Sequence, residues 1–498
     1  MDEKSIIIIG AGLAGLSAGC YARMNGYNTQ IFEMHNIPGG LCTSWRRKGY
    51  LIDGCIHYMM GSRSGVYNQF YKELGAVQGR QMIDKDELLR VEGPGGKTWI
   101  VYTNLDRLEQ HMKEISPVDA KVIEELCNAA RRVLDFEMPV RKPMEHMGPL
   151  DMLKMLKDIP VLRDLGKYSR ISMQEYATHF KDPFLREVFP QIIEDLPDMP
   201  MMAVIWMLAY LHMQNNGWPA GGSLEFARAI EKRYQDLGGR IQYKSPVEKI
   251  IVENDRAVGV RLTDGKEYRA DLVVSAADGR TTIFDMLDGK YVNEKIQTYY
   301  REWPIYEPFV QVSLGVAHDF SDESHSIVLK LDKPIEFGGQ IRDWLPFKHY
   351  GFDPSMAPSG KSVVTVPFLF ASYEYWKQLS ENRKDYKKEK QDLAEAVIDR
   401  LELRFPGIRK QVEVVDVATP VTYERYTGNW RGSYMGWKPM LSGLGKPMRR
   451  TLPGLNNFYM AGQWVFPGGG VSTAISSGRH LIQVLCKKDK KRFTTTVP

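Results

Sequence analysis

The stretch that decides the fold is Ser5-Ile-Ile-Ile-Ile-Gly-Ala-Gly-Leu-Ala-Gly15, followed along the chain by Thr29-Gln-Ile-Phe-Glu33. The apolar run at positions 6–9 is typical of a buried parallel strand. It is followed by glycines at positions 10, 12 and 15, which is the spacing G-x-G-x-x-G, and then by a segment of helix-compatible composition. Because a second short strand ends in an acid, the stretch predicts a nucleotide-binding strand–helix–strand unit.

Each residue type in this motif has a physical reason. Gly10 permits a tight turn, Gly12 allows a pyrophosphate to approach the backbone, and Gly15 allows the helix to pack on the strand. The helix N-terminus then faces the phosphates, and Glu33 can accept a hydrogen bond from a ribose hydroxyl. A glycine-rich turn without a ligand is the alternative, and the flanking strands, helix and acid argue against it.

Further motifs point to the kind of dinucleotide. Gly39 and Gly40 let the chain pass close to a cofactor. Together with residues 419–429, 432–437 and 462–471, this pair makes the sequence resemble the FAD-dependent oxidoreductases that include phytoene desaturases, carotenoid isomerases, retinol saturases and, more distantly, amine oxidases. The resemblance covers most of the chain, is weakest over residues 86–215, and implies FAD rather than NAD.

The resemblance also implies the residues that bind FAD. The glycine turn at 462–471 lies between a strand and a helix, and a helix N-terminus directed at the flavin would stabilise the anionic reduced ring. The implied cofactor-binding residues are Gly10, Gly12, Leu13, Ala14, Gly15, Glu33, Met34, Gly39, Gly40, Leu41, Val247, Ala276, Gly462, Gln463, Gly470, Val471 and Ala474.

Three residues are candidates for the catalytic site. His57 follows the Asp53-Gly54 turn, and it is either a hydrogen-bonded structural histidine or a group that positions substrate or moves a proton. Trp218 and Tyr423 are either walls of a substrate tunnel or ordinary core residues. We find no Ser/His/Asp or Cys/His pairing in a recognisable context and no metal-ligand spacing, so we expect no metal.

Composition limits the other possibilities. The chain has 498 residues, 43% of them hydrophobic and 26% charged, which suits two or three globular domains. A net charge of +5 is too slight to indicate nucleic acid as a partner. Five cysteines without a C-x-x-C pair argue against disulfides and zinc and fit a reducing interior. With no signal peptide recognised, we expect a cytoplasmic protein, either free or attached to a membrane surface.

We predict an α/β fold with three parts. Residues 1–85, 216–290 and 411–498 are expected to form a discontinuous Rossmann-type FAD-binding domain. Residues 86–215 are expected to form a helical lobe that faces substrate or membrane, and residues 291–410 a mixed-sheet substrate domain. The methionine-rich run at 199–213 is too short to span a bilayer. It is interpreted either as part of the hydrophobic core or as the wall of an apolar substrate tunnel. The basic tail at 487–492 is either a solvated end or a weak anchor on anionic lipid.

The expected function is hydride transfer at flavin N5 to or from a carbon–carbon bond of a hydrophobic substrate. The resemblance implies an isoprenoid, carotenoid, retinoid-like or other lipid substrate that is desaturated, saturated or isomerised. Without a second G-x-G-x-x-G, the redox partner is expected to be a quinone, oxygen, or NAD(P)H that visits the flavin.

Two alternatives remain open. The first is a flavin amine oxidase that releases hydrogen peroxide. Amine oxidases usually carry Glu and Thr where this chain has Gln463 and Val465, and Arg where it has Leu41. The second is a non-catalytic FAD-containing protein that binds lipid.

Overall fold

The computed structural model describes residues 3–193, 196–438, 448–466 and 468–498. Residues 439–447 of the predicted FAD-binding domain, and Pro467 of its C-terminal glycine turn, lie outside the described residues. The strands are β1 (Ser5–Ile9), β2 (Asn28–Phe32), β3 (Ser44–Arg47), β4 (Tyr50–Asp53), β5 (Met82–Ile83), β6 (Glu87–Glu92), β7 (Thr98–Tyr102), β8 (Trp218–Pro219), β9 (Arg240–Gln242), β10 (Val247–Glu253), β11 (Arg256–Leu262), β12 (Glu267–Arg269), β13 (Leu272–Ser275), β14 (Val310–Val316), β15 (Ser326–Phe337), β16 (Gln340–His349), β17 (Ser362–Phe368), β18 (Val412–Ala418) and β19 (Phe458–Met460). The α-helices are α1 (Leu13–Met24), α2 (Gly65–Glu73), α3 (Leu105–Ile115), α4 (Ala120–Arg131), α5 (Pro149–Met155), α6 (Ile159–Tyr168), α7 (Met173–Ala177), α8 (Pro183–Val188), α9 (Met201–His212), α10 (Gly222–Asp236), α11 (Glu294–Glu302), α12 (Tyr373–Glu381), α13 (Arg383–Arg404), α14 (Pro420–Thr427) and α15 (Gly470–Lys488).

A five-stranded parallel sheet forms the nucleotide-binding part, with the order β19-β13-β1-β2-β9. β1 lies in its centre, where Ile7 pairs with Val273 of β13 and Ile8 pairs with Ile31 of β2. Helices α1 and α15 cover one face, and strands β10 and β11 of a separate three-stranded antiparallel sheet cover the other. Because β1 is buried on both sides, it is apolar throughout rather than alternating. The strands come from residues 5–32, 240–275 and 458–460, so the predicted assembly of this sheet from distant pieces of the chain is confirmed.

A seven-stranded mixed sheet forms the second part, with the order β18-β14-β17-β16-β15-β6-β7. Its neighbours are antiparallel except β15 and β6, which run parallel. One face of α13 covers the sheet with Leu393, Val397 and Leu401, which are buried in the same apolar cluster as the inner face of β14. The charged residues of α13 therefore lie on its outer side, as the sequence of a surface helix requires.

The domain boundaries differ from those we predicted. β6 and β7 lie within the predicted helical lobe (86–215), yet they extend the mixed sheet, and β18 does so from the predicted FAD-binding segment. Side chains of β6 and β7 alternate between buried and less buried positions, which is typical of strands in a sheet with one covered face. This pattern is consistent with their place in the mixed sheet rather than in a helical lobe. α11, in contrast, buries Ile296 and Tyr299 against the apolar cluster beside the nucleotide-binding sheet.

Helices α3 to α9 form the lobe, and α9 lies in its core. Residues 204–211 of α9 are all buried, so the methionine-rich run is mainly a core helix. Met207 and Leu211 of this helix also line an interior cavity, so the tunnel-wall interpretation applies to that side of the helix. Among the described residues, no helix combines the length and the apolarity that crossing a membrane requires.

Candidate functional site

The first glycine turn has the geometry that its sequence predicts. Gly10 has a φ of +96°, which favours glycine, and a Cβ at Gly15 would collide with the carbonyl oxygen of Gly10. α1 begins at Leu13, and its N-cap, Gly12, has no side chain to occupy the first N–H groups. A Cβ at Gly12 would have no heavy atom closer than the Gly39 oxygen, at 4.0 Å. The turn therefore holds the strand and helix together while leaving open space at the helix N-terminus.

Glu33 lies at the end of β2 against this turn. One of its carboxylate oxygens accepts a hydrogen bond from Ala11 N (2.7 Å), and the other accepts one from His35 N (2.8 Å). Each oxygen keeps a further lone pair, so the carboxylate can still accept from a ribose hydroxyl. The structure therefore gives Glu33 a second role, which is to brace the glycine turn.

The second glycine pair lies directly on the first turn. Gly39 N donates to Ala11 O (2.9 Å), and Gly39 and Gly40 have φ values of +105° and +60°. A Cβ at Gly40 would lie 3.3 Å from the Gly12 Cα, so the two loops are in close contact. Leu41 follows partly buried.

The C-terminal glycine turn, residues 462–470, contacts the N-terminal turn at 10–15 from the other side. A Cβ at Gly462 would lie 3.5 Å from the Ala14 Cβ, and Gly462 N donates to Ser477 Oγ at 2.8 Å. α15 packs on α1, where Ser17 Oγ donates to Ile475 O at 2.8 Å. The stretches at 10–15 and 462–470, which lie far apart in the sequence, are therefore adjacent.

The N-terminus of α15 is open. No side chain caps it at Gly469, and Gly470, Val471 and Ala474 near the start of the helix keep accessible surface. Its N–H groups can therefore hold an anion or polarise a carbonyl. The neighbouring Gln463 donates from Nε2 to Asn429 Oδ1 (3.0 Å). This hydrogen bond connects the motif at 419–429 to the C-terminal glycine turn.

The remaining predicted cofactor-binding residues lie near the glycine turn at 10–15, near Glu33 or near the motif at 419–429. Ala276 N donates to Ile9 O (2.9 Å), which places Ala276 beside the glycine turn. Val247 begins β10 just after Ser245, whose N–H donates to Glu33 O (2.9 Å). Met34 is 45% exposed, and its sulfur would lie 3.4 Å from a Cβ at Gly428.

These residues fit FAD. The binding features lie along adjacent segments, as an extended adenine dinucleotide requires. They are the N-termini of α1 and α15, which no side chain caps, the left-handed glycines, and Glu33 after β2. The individual roles of the residues stay predictions.

An interior cavity of about 90 Å³ lies between the mixed sheet and the helical lobe. His57 and Trp218 both line it, so the structure brings two of the three catalytic candidates together. The other walls are mostly apolar, and they include Ile83, Leu88, Leu89, Ile192, Ile193, Met207, Leu211 and Phe352.

His57 presents accessible surface, which belongs to this cavity. Its pKa is held well below the usual value by the positive charge of Lys348 and by burial. The ring is therefore neutral near pH 7, with one donor and one acceptor nitrogen.

Trp218 is fixed in place as a wall. Its Nε1 donates to Asp353 Oδ2 (2.9 Å), and its ring packs on Tyr350 and Phe352 with centroid distances of 5.2 and 5.9 Å. A side chain held in this way shapes the cavity rather than moving within it.

Tyr423 lies apart from this cavity. It is buried on α14 beside Phe309, with ring centroids 4.6 Å apart, in a separate small cluster. Its hydroxyl has no hydrogen-bond partner among the described residues.

The cavity also contains polar residues that the sequence did not single out. Lys85, Asn216, His325, Lys348 and His349 all line it. They come from a charged loop, a polar turn and strand ends, where such residues are usually solvated. No local sequence signal separates them from surface residues.

Known proteins are similar to this chain in sequence and in fold. A family model for flavin containing amine oxidoreductases matches residues 13–481. The chain is 27% identical to a chloroplastic prolycopene isomerase of Daucus carota, over 96% of this chain and 79% of that protein. It is 26% identical to a lycopene-forming phytoene desaturase of Paracoccus sp., over 97% of each chain. A solved structure of a putrescine oxidase double mutant is similar in fold, with a TM-score of 0.61 and 12% identity over 97% of this chain and 99% of that one.

Proposed function

The chain belongs to the flavin containing amine oxidoreductase family, and we propose that this FAD-dependent oxidoreductase acts on carbon–carbon bonds of a hydrophobic lipid. The proposed substrate is an isoprenoid, carotenoid or retinoid-like alkene that is desaturated, saturated or isomerised. The observation that carries the proposal is the similarity, along nearly the whole chain, to a prolycopene isomerase and a phytoene desaturase.

The cavity supports this proposal through its walls. When bound, FAD supplies the hydride acceptor or donor. The chain's own residues have to orient an apolar molecule and exclude water. Trp218 and the apolar side chains around it provide such a surface, and the neutral ring of His57 can position substrate through a hydrogen bond without adding charge.

The charges in the cavity argue against amine oxidation. A protonated amine entering it would meet the positive charge of Lys348, which disfavours a cation. Gln463 and Val465 occupy positions where amine oxidases usually carry other residues, which points the same way.

We also propose that the helical lobe docks on a membrane surface to collect its lipid. Five apolar residues recur at every third position from α5 into α6, and each is at least 37% exposed. We call them the apolar stripe; they are Leu150, Leu153, Leu156, Ile159 and Leu162. Arg163, Lys167 and Arg170 are exposed nearby and suit anionic headgroups.

The experiment that tests the function begins with the purified yellow protein. Any co-purified lipid is extracted and identified. The enzyme is incubated anaerobically with polyenes and, separately, in air with amines, because peroxide forms only when oxygen accepts the electrons. The proposal expects a polyene whose double bonds change only when the flavin is present. Amine turnover with peroxide release would support the oxidase instead, and a bound flavin that can be neither photoreduced nor reoxidised would support the non-catalytic alternative.

A further inference from the structure

Two polar side chains in the interior cavity lack hydrogen-bond partners. Lys85 Nζ is buried, and no acceptor in the described part of the chain reaches it; it lies over the ring of Phe352. Asn216 is only 6% exposed, and neither its amide nitrogen nor its amide oxygen has a partner among the described residues. Buried polar groups without partners are costly, so their retention together in one cavity points to a ligand.

Strand pairing places these two residues opposite each other. β5 and β8 are antiparallel, with Met82 facing Pro219 and Ile83 facing Trp218. If this register is continued by two residues, Lys85 faces Asn216. Because side chains alternate along a strand, both project to the same side as Ile83 and Trp218, which is the cavity side.

The acids near this pair already have partners. Asp84 accepts from Arg63 Nε (2.6 Å), and Glu87 lies 3.3 Å from Arg90. Asp353 accepts from the backbone of Gly221 and Ser355 and from the Trp218 indole.

The remaining titratable groups of the cavity add no negative charge. Lys348 and His325 line it from the mixed sheet. His349 is structural, because its Nε2 is 3.0 Å from the acceptor Ser324 O, and burial lowers its pKa to about 4, so that it is neutral near pH 7. Lys85 Nζ and the Asn216 amide are therefore the groups of this cavity that stay without a partner among the described residues.

The two polar groups without partners indicate the kind of ligand that the cavity takes. One amine and one amide N–H match the two oxygens of a single carboxylate. The apolar walls formed by Leu89, Met207 and Leu211 suit the chain to which that carboxylate is attached.

We propose that this cavity binds a carboxylate at one end of the lipid substrate, with Lys85 as its counter-ion and the Asn216 amide N–H as a hydrogen-bond donor. This inference rests on the proposed function, because it names the head group of that substrate. The substrate class is thus a long apolar alkene carrying a terminal acid.

The electrostatics of the cavity agree with this assignment. Burial, aided by the charge of Lys348, lowers the pKa of Lys85 to about 6. A carboxylate beside the amine would favour its charged form and raise that pKa again. Binding of the acid is therefore coupled to proton uptake by Lys85.

Binding to the holoenzyme tests the proposal. Calorimetry compares oleate with oleyl alcohol, which share the chain and differ in the head group, and includes geranylgeranyl diphosphate as the phosphate arm. We expect oleate to bind at least about 10-fold more tightly than oleyl alcohol. Lys85→Met should weaken the binding of oleate by about 10- to 100-fold and have little effect on the binding of the alcohol. Asn216→Asp, which adds a carboxylate inside the cavity, should abolish the preference. Lys387→Met, at an exposed lysine of α13, is the matched control and should change nothing.

The proposal is overturned if wild-type enzyme binds the acid no more tightly than the alcohol, or if the diphosphate binds more tightly than oleate. The wild-type comparison does not depend on whether a variant folds. Polyene turnover without a head-group preference would defeat this inference and leave the proposed function standing. Carboxylate binding without any change in a double bond would do the reverse.

Discussion

Gly12→Ala separates cofactor binding from folding more cleanly than any other substitution in the glycine turns. Gly12 has φ −67° and ψ 172°, which any residue can adopt, and a Cβ there would meet nothing closer than 4.0 Å. Without the cofactor, the methyl group has room. With the cofactor, it would occupy the space next to the α1 N-terminus where we place the pyrophosphate.

The magnitudes follow from this geometry. The free energy of unfolding of FAD-free protein should stay within about 1 kcal/mol of wild type, because alanine fits the backbone. FAD binding should lose at least one charge-assisted hydrogen bond, worth about 1.5–3 kcal/mol, and so weaken roughly 10- to 150-fold. Flavin fluorescence titration of the FAD-free protein measures the affinity, and urea unfolding measures the stability.

Two further variants serve as controls. Gly15→Ala should destabilise the fold itself, because its Cβ would collide with the Gly10 oxygen. Gly166→Ala, in α6 with no atom within 4 Å of its Cβ, should leave FAD affinity unchanged. If Gly12→Ala binds FAD as tightly as wild type, the pyrophosphate does not lie at this turn and our placement is wrong.

Three more predictions follow from buried charges and exposed apolar residues. Arg479→Leu should cost about 3–5 kcal/mol in urea unfolding, because it leaves Glu73 buried without the cation 3.2 Å away; a loss below 1 kcal/mol, as expected on breaking an exposed pair, would contradict this. His349, whose pKa burial lowers to about 4, binds fewer protons folded than unfolded, so stability should fall by up to about 3 kcal/mol as pH drops from about 6.5 to 4. His349→Gln should show a shallower slope over that window, and an unchanged slope would refute the assignment. Leu153→Asp should reduce flotation with anionic vesicles, whereas Leu403→Asp, at an isolated exposed leucine, should not; equal effects would remove the apolar stripe as the docking surface.

The nucleotide-binding part could be predicted because its signals are local. The residue types of the turn at 10–15 indicate its conformation, and the strand at 6–9 is apolar because both of its faces are buried. The contact between this turn and the glycine turn at 462–470 is non-local, and its prediction depends on the resemblance rather than on periodicity.

The domain edges and the cavity could not be predicted in the same way. β6 joins the mixed sheet by pairing with β15, more than two hundred residues further along the chain, and no pattern within 87–92 indicates that partner. Lys85 lies between two aspartates and reads as part of a solvated loop. A ladder of only two residue pairs between β5 and β8 turns it inward, and so short a ladder leaves no periodic signal.

The most direct test of the proposed chemistry is a single anaerobic turnover with equimolar enzyme and polyene. The flavin spectrum is recorded while mass spectrometry and chromatography identify the polyene. We predict that the polyene gains or loses two hydrogens as the flavin changes redox state, or changes double-bond geometry, and that FAD-free protein does neither. An unaltered polyene alongside a flavin that only amines reduce would contradict the account.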